Sequence, residues 1–296
     1  MHMGEKKFET IERQIEILKN RGLIIEDEND AKEFFMKNNY YRISGYTLSL
    51  RKNDRFFPNI TLSNVKDIYY FDSALRHKIL ALISEMETTV KSIYAYRFAE
   101  RYEPYAYLDD SIFTNKEIYT EIIKKVEVQK ENVKSFELCV KHFINKNERF
   151  PVWAYIELFT FGNISHLYTI SELELKKIVA TDLGFSMNKG WAHVGSSLRV
   201  ITTLRNLCAH GSRLYNRRFS SKPSLSKQDE KYLRVYIDGT LDNDHLFSYL
   251  LTVKRFVSKD SFQKFLCEVQ DLYKVYPSID LSKYGFPTYW ETVFAN

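Results

Sequence analysis

From Asn64 to Arg101 the chain runs without a glycine or a proline. Its apolar residues return every three or four positions, at Ile68, Phe71, Leu75, Ile79, Leu82, Ile83, Met86, Val90, Ile93 and Tyr94. That spacing keeps one face apolar at 3.6 residues per turn, so the segment reads as one long amphipathic helix that needs partners along its whole buried stripe. Pro104 stops it. A helix of this length dictates the rest of the fold, because only further helices can cover such a stripe end to end.

The remaining sequence supplies them. Thr10 is placed to cap a short helix closed by Gly22, and a second runs from about Asp30 to Asn38. Tyr40 to Asp54 breaks the pattern and reads as an irregular arm or a short hairpin. Helical periodicity returns over Asn115 to Lys146, in a helix opened by Pro151 that carries Trp153, Ile156 and Phe159, and over Leu173 to Leu183 and Trp191 to His210. Leu214 to Ser226 reads as a polar loop, and His245 to Val257 and Ser261 to Val275 as two closing helices. The expected fold is all-α: an antiparallel helical bundle over residues 60–296 that includes additional C-terminal helices, with residues 1–59 as an appended arm and no clean boundary between the two. No internal repeat is present.

Composition narrows the setting. A hydrophobic content of 44% is ample for a core, and the net charge of +5 is only mildly basic, which points to a local anionic partner and not to blanket coating by nucleic acid. Cys139, Cys208 and Cys267 are odd in number and far apart, so neither a disulfide framework nor a zinc site is indicated. Met1 to Lys7 is polar, and no run approaches the ~20 apolar residues of a membrane span. The expectation is a cytoplasmic protein with no membrane contact, no cofactor and no bound metal.

The chemistry concentrates in Arg205-Asn206-Leu207-Cys208-Ala209-His210. Trp191, Val194, Leu198, Ile201, Leu204 and Cys208 form the buried stripe of that helix, and Gly211 ends it as a left-handed cap. His210 then falls in the last turn, where unsatisfied carbonyls and the negative end of the dipole favour cationic groups. An arginine can hold a phosphate and its developing charge, and an imidazole can carry protons near neutral pH. Five residues correspond to roughly one helical turn plus 140°, so the two side chains border a groove without meeting at one point. A two-fold dimer would complete the site. The plainer reading is a solvated turn with a favourable dipole contact. Asn206 on the open face weighs against it, as does the run Arg213, Arg217, Arg218, Lys222 and Lys227, which meets no acid until Asp229 and Glu230.

Other groups carry less. Asp27-Glu28-Asn29-Asp30 reads as a helix cap before it reads as a cation site. Tyr40, Tyr41 and Tyr46 with Arg42 offer stacking and charge to RNA, against a packing role. Arg76-His77 reads as a solvated helix face, with the groove-facing position as its alternative. His142, His166, His193 and His245 have no partner pattern. No phosphate-cradling glycine loop and no Gly-x-Ser-x-Gly elbow occurs.

Arg205-Asn206-x-x-Ala209-His210 resembles the active-site signature of the HEPN superfamily of α-helical ribonucleases. Nearly the whole chain is similar to the bacterial abortive-infection (Abi) family, D/F type. The resemblance is carried by Gln14-Ile15 through Arg21-Gly22-Leu23, by Asn38-Asn39-Tyr40-Tyr41-Arg42-Ile43-Ser44-Gly45-Tyr46, and by Phe71-Asp72 with Leu75-Arg76. It continues in Pro151-Val152-Trp153, Phe161-Gly162-Asn163, Arg213-Leu214-Tyr215-Asn216 and Gly285-Phe286-Pro287 with Trp290. It implies a metal-independent endoribonuclease acting as a phage-defence toxin, with Arg205 and His210 as catalytic groups supported by Asn206. It also implies a homodimer, and restraint by an antitoxin that in some relatives is a small RNA. Glu87 and Lys91 match the acid-then-base pair, four residues apart, that the family often carries on its long helix. RNA contacts are expected from Arg213, Arg217, Arg218, Lys222, Tyr41 and Arg42. A non-cleaving RNA-binding protein of the same fold is the alternative. Nucleotidyl transfer, associated with a tyrosine two residues after the histidine, is disfavoured because Ser212 stands there.

Overall fold

The computed structural model describes residues 8–146, 148–234 and 243–295. Met1 to Lys7, read above as a polar start, lie outside the described residues, as does the Cys139 side chain. The structure is 69% helical, with fourteen α-helices and one two-stranded hairpin among the described residues, and this makes it an all-α bundle.

The N-terminal elements are α1 (Ile11–Asn20), α2 (Glu28–Lys37) and α3 (Tyr40–Ser44), then a hairpin of β1 (Arg51–Lys52) and β2 (Arg55–Phe56). Local signals set their ends. The Thr10 side chain accepts from the Arg13 amide, and Asp27 accepts from the amides of Asn29 and Asp30, so the acids before α2 act as its cap. These elements enclose a small core of Ile15, Leu18, Leu23, Phe34, Phe35 and Ile43. Leu62 and Val65, from the first turn of the next helix, complete it.

That next helix is α4 (Leu62–Tyr102), 41 residues long and opened by a reciprocal capping box between Thr61 and Asn64. Its stripe is buried as the periodicity predicts, from Ile68 through Tyr94 to Phe98, apart from a half-buried Ile93. Then come α5 (Lys116–Val133), α6 (Leu138–Lys146), α7 (Val152–Tyr155), α8 (Phe161–Ile170), α9 (Leu173–Asp182) and α10 (Gly190–Ala209). The chain closes with α11 (Lys227–Arg234), α12 (Leu246–Lys254), α13 (Lys259–Val275) and α14 (Trp290–Ala295). α4 packs against α7, α9, α10 and α13, and α10 also packs against α8, α9 and α12. The long helix is therefore the shaft shared by the small N-terminal core and the main one.

The structure departs from the expected elements in several places. The single helix expected over Asn115 to Lys146 is two, with a turn at Lys134–Glu137 where neither glycine nor proline marks the break. The helix expected from Pro151 is one turn of α7 followed by a 3₁₀ turn, and α8 starts afresh where Thr160 caps the Asn163 amide. The loop expected at Leu214 to Ser226 has no helix or strand, yet Leu214, Tyr215, Phe219 and Leu225 are buried in the main core. No helix among the described residues is long and apolar enough to cross a membrane.

Candidate active site

α10 buries Val194, Leu198, Ile201, Leu204 and Cys208, and leaves Ala192, Arg199, Asn206 and Ala209 exposed. Its end is a Schellman turn. Gly211 takes φ +62°, the Gly211 amide donates to the Cys208 carbonyl at 3.0 Å, and the Ser212 amide reaches back to Leu207 at 2.8 Å. His210 is the last residue before the reversal, and its ring is exposed. Arg205, one turn earlier and half-buried, makes no hydrogen bond or ion pair with the described residues, and neither do the side chains of Asn206 and His210. A half-buried cation, an exposed amide and an exposed imidazole thus lie near one helix end, each without a partner among the described residues.

The turn that follows is held by residues from remote parts of the chain. Arg42 of α3 donates from Nη2 to the Gly211 carbonyl, which ties this exposed side chain to the residue that follows His210. An added Cβ at Gly211 would lie 2.5 Å from that nitrogen, the far end of an exposed side chain that can swing aside, so it is the left-handed backbone that calls for glycine here. Arg213 leans over Gly45 of the arm, and its Nη1 donates to the carbonyls of Tyr215 and Asn216. Arg217 in turn donates from Nε to the Arg213 carbonyl at 2.5 Å. Burial, reinforced by the neighbouring Arg217, lowers the Arg213 guanidinium from its ordinary value. Arg218 and Lys222 are exposed and share Asp244, at 3.0 and 3.7 Å.

Beneath this turn lies a buried charge. Asp72 of α4 is fully enclosed and pairs with Arg76, which is 4% exposed. The carboxylate also accepts from the Leu214 amide at 3.2 Å, the Tyr215 amide at 2.9 Å, the Tyr46 hydroxyl at 2.8 Å and the Tyr284 hydroxyl at 3.0 Å. Arg76 reaches the Tyr46 oxygen at 3.1 Å and the Ser212 carbonyl at 3.5 Å. Burial, joined by the Asp72 charge, holds the Tyr46 and Tyr284 hydroxyls well above the ordinary tyrosine range, so both stay protonated donors. Burial opposes the Arg76 charge, but Asp72 and Tyr46 outweigh it and raise the guanidinium overall. Burial likewise pushes the adjacent Cys208 thiol up to about 12.

One expectation changes here. Arg76 is not on a solvated face, because it is buried against Asp72. Tyr46 takes the packing role of the two read for it, since it is wholly buried in the same network. Glu87 and Lys91 do pair, at 3.1 Å, further along α4. The sequence offered two acid–base pairs at this spacing on α4, and it is Asp72–Arg76 that touches the turn after His210. The cue was present in the adjacent Phe71-Asp72 and Leu75-Arg76, whose flanking apolar residues place the pair on the buried stripe.

Two roomy hollows lie elsewhere. One, of about 640 Å³, is lined by Tyr232, Lys254, Arg255 and Phe262, and another, of about 540 Å³, by Tyr96, Ala99, Trp153 and Ile156. Arg205 and His210 line neither. Among the described residues no three His, Cys, Asp or Glu side chains gather as a metal site.

A model of the Abi-like protein family matches residues 33–216, a span that begins in α2 and ends just past the turn after His210. The chain belongs to the Abi-like family. No curated protein and no solved structure matches it. Family membership points to abortive infection, a defence against phage. The matched span contains Arg42, Asp72, Arg76, Arg205 and His210, whereas Tyr284 lies beyond it.

Proposed function

We propose that this Abi-like protein is an endoribonuclease of the HEPN type, a phage-defence effector whose active groups are Arg205 and His210 with Asn206 in support. The observation that carries the reading is the open helix end. On a surface where most charged side chains are paired, Arg205 has no acceptor among the described residues and stands one turn from an exposed imidazole on a pinned backbone.

The chemistry follows from those groups. His210 takes the proton of a ribose 2′-hydroxyl, the oxygen attacks the adjacent phosphorus, and Arg205 holds the phosphorane charge. The P–O5′ bond breaks, and the departing oxygen takes a proton from a second, protonated imidazole. The products are a 2′,3′-cyclic phosphate and a 5′-hydroxyl, and DNA resists because it lacks the nucleophile. The angular offset of Arg205 and His210 along α10 leaves one copy incomplete, so the second imidazole comes from another copy in an isologous dimer. Arg42, Arg213, Arg217, Arg218 and Lys222 provide phosphate contacts and Tyr41 a stacking surface. Restraint by a small RNA antitoxin fits the same basic surface. The chain works without a metal or another cofactor, in the cytoplasm.

The test is cleavage of mixed RNA by purified protein in excess EDTA, with the ends of the products mapped. Arg205→Ala and His210→Ala should each reduce cleavage by about 10²–10⁴-fold, the scale of a lost acid–base or charge-stabilising group, while melting near the wild-type temperature. Cleavage that stops in EDTA and returns with magnesium overturns the mechanism. Tight RNA binding with no cleavage at all leaves the alternative, a non-cleaving RNA-binding protein.

A further inference from the structure

His210 ends a helix, and helix ends fray unless something holds the chain beyond them. Here the six residues from Gly211 to Asn216 are tied by groups that lie far away in sequence. The Gly211 carbonyl accepts from Arg42, the Ser212 carbonyl faces Arg76 at 3.5 Å, and the Asn216 amide donates to Lys283 at 2.9 Å. At the centre, the amides of Leu214 and Tyr215 both point at the Asp72 carboxylate. Two successive amides aimed at one oxygen pair form a small anion-binding concavity, and Asp72 fills it from below.

The geometry points to Asp72 as the positioning residue of the site. Through the backbone of the 211–215 turn it sets where the His210 imidazole stands, and Tyr46 and Tyr284 make that setting depend on the N-terminal arm and on the C-terminal closing segment. The inference rests on the reading of His210 as the proton carrier. It goes beyond that reading because it makes Tyr284, outside the span that matches the family, part of the active site's support. A buried carboxylate is costly in an apolar core unless donors surround it, and the four segments that supply those donors must all be in place before the charge is accommodated. Nothing in that arrangement touches substrate. Its effect reaches the chemistry only through the position of the ring.

A buried tyrosine elsewhere separates positioning from plain stability. Tyr284→Phe deletes one donor to Asp72 and keeps the ring. Tyr94→Phe, on the same helix as Asp72 but roughly 33 Å further along its axis, likewise deletes one buried hydroxyl contact, that to Ser171 at 2.7 Å. With both proteins folded, cleavage of an RNA oligonucleotide gives kcat and KM, and the proton–carbon NMR signal of the His210 ring reports its surroundings. Tyr284→Phe is expected to lower kcat about tenfold with KM within about twofold, as misplacement of a catalytic group does. It should also move the His210 signal. Tyr94→Phe should leave kcat and the His210 signal at wild-type values even where it melts lower. Should Tyr284→Phe not fold, Tyr46→Phe removes a donor to the same carboxylate from the arm, at 2.8 Å, and carries the same expectation. Wild-type kcat with an unmoved His210 signal overturns the proposal, and so does an equal loss of kcat in Tyr94→Phe. A His210→Ala protein that still cleaves would instead remove the cleavage reading, and the NMR signal would then decide the positioning on its own.

Discussion

Asp72–Arg76 and Glu87–Lys91 lie on the same helix, with the same spacing and the same order of acid before base, and they have opposite fates. The first pair is enclosed and draws donors from three other segments, whereas the second meets only itself among the hydrogen bonds and ion pairs and keeps 19% and 10% of its side chains in contact with solvent. Spacing of i to i+4 guarantees that two side chains can meet. What the meeting does depends on what else is packed there. Where Asp72 stands, a turn, an arm and a closing segment all present N–H or O–H groups, so the charge becomes the junction of the fold. Where Glu87 stands, the pair is a local contact that no other segment joins.

The difference can be broken most directly at Asp72. Asp72→Asn leaves Arg76 buried beside an amide, and removing one partner of a buried ion pair costs about 3–5 kcal/mol. Urea or thermal melting should show that loss, and a change below about 1 kcal/mol would mean that the network is no junction. Gly211→Ala comes next. A left-handed alanine costs roughly 1–2 kcal/mol, and its methyl would displace Arg42, so stability should fall by about that amount. An unchanged melting curve would show that the turn is not held as described. Lys91→Ala should cost less than Asp72→Asn, because it removes a single contact and leaves Glu87 with some access to water. A loss as large as that of Asp72→Asn would erase the contrast between the two pairs.

The smallest effect on stability belongs to the thiols, of which Cys208 reports on the enclosed pair without disturbing it. In a Cys139→Ser background at pH 8, an aromatic disulfide reagent should label exposed Cys267 and spare Cys208, which lies beside Arg76 with its pKa pushed up to about 12. Rapid labelling of both would show that the region around Arg76 opens. The sign of the linkage is fixed. The folded chain binds the Cys208 proton more tightly than the unfolded one. Its contribution is therefore intact below the usual thiol value of about 8.5 and is lost as pH rises towards 12.

Much of the fold was legible in the sequence because it is decided by near neighbours. The apolar stripes of α4 and α10, the caps at Thr10 and Asp27, and the stop at Gly211 all follow from residues within a turn or two of each other. The fresh start of α8 had a local cue in its N-cap Thr160, which the periodic reading ran past, whereas the break between α5 and α6 and the burial of Leu214 and Tyr215 were not legible, because no local residue requires them. Resemblance singled out Arg205 and His210, and periodicity placed them at a helix end. It also brought Phe71-Asp72 and Leu75-Arg76 into view without saying what they hold.

By itself the sequence determined that this chain is built of helices, and that its arginine and histidine close one of them just before a left-handed glycine. Helix periodicity and capping are local, and a residue's near neighbours suffice to fix them. Only the tertiary structure decided which charge would be buried and what would surround it. Asp72 finds Tyr46 26 residues before it and Tyr284 212 residues after it. Desolvation and hydrogen bonding act through space, so the worth of a carboxylate is settled by the donors the fold brings to it, and distance along the chain carries no information about them.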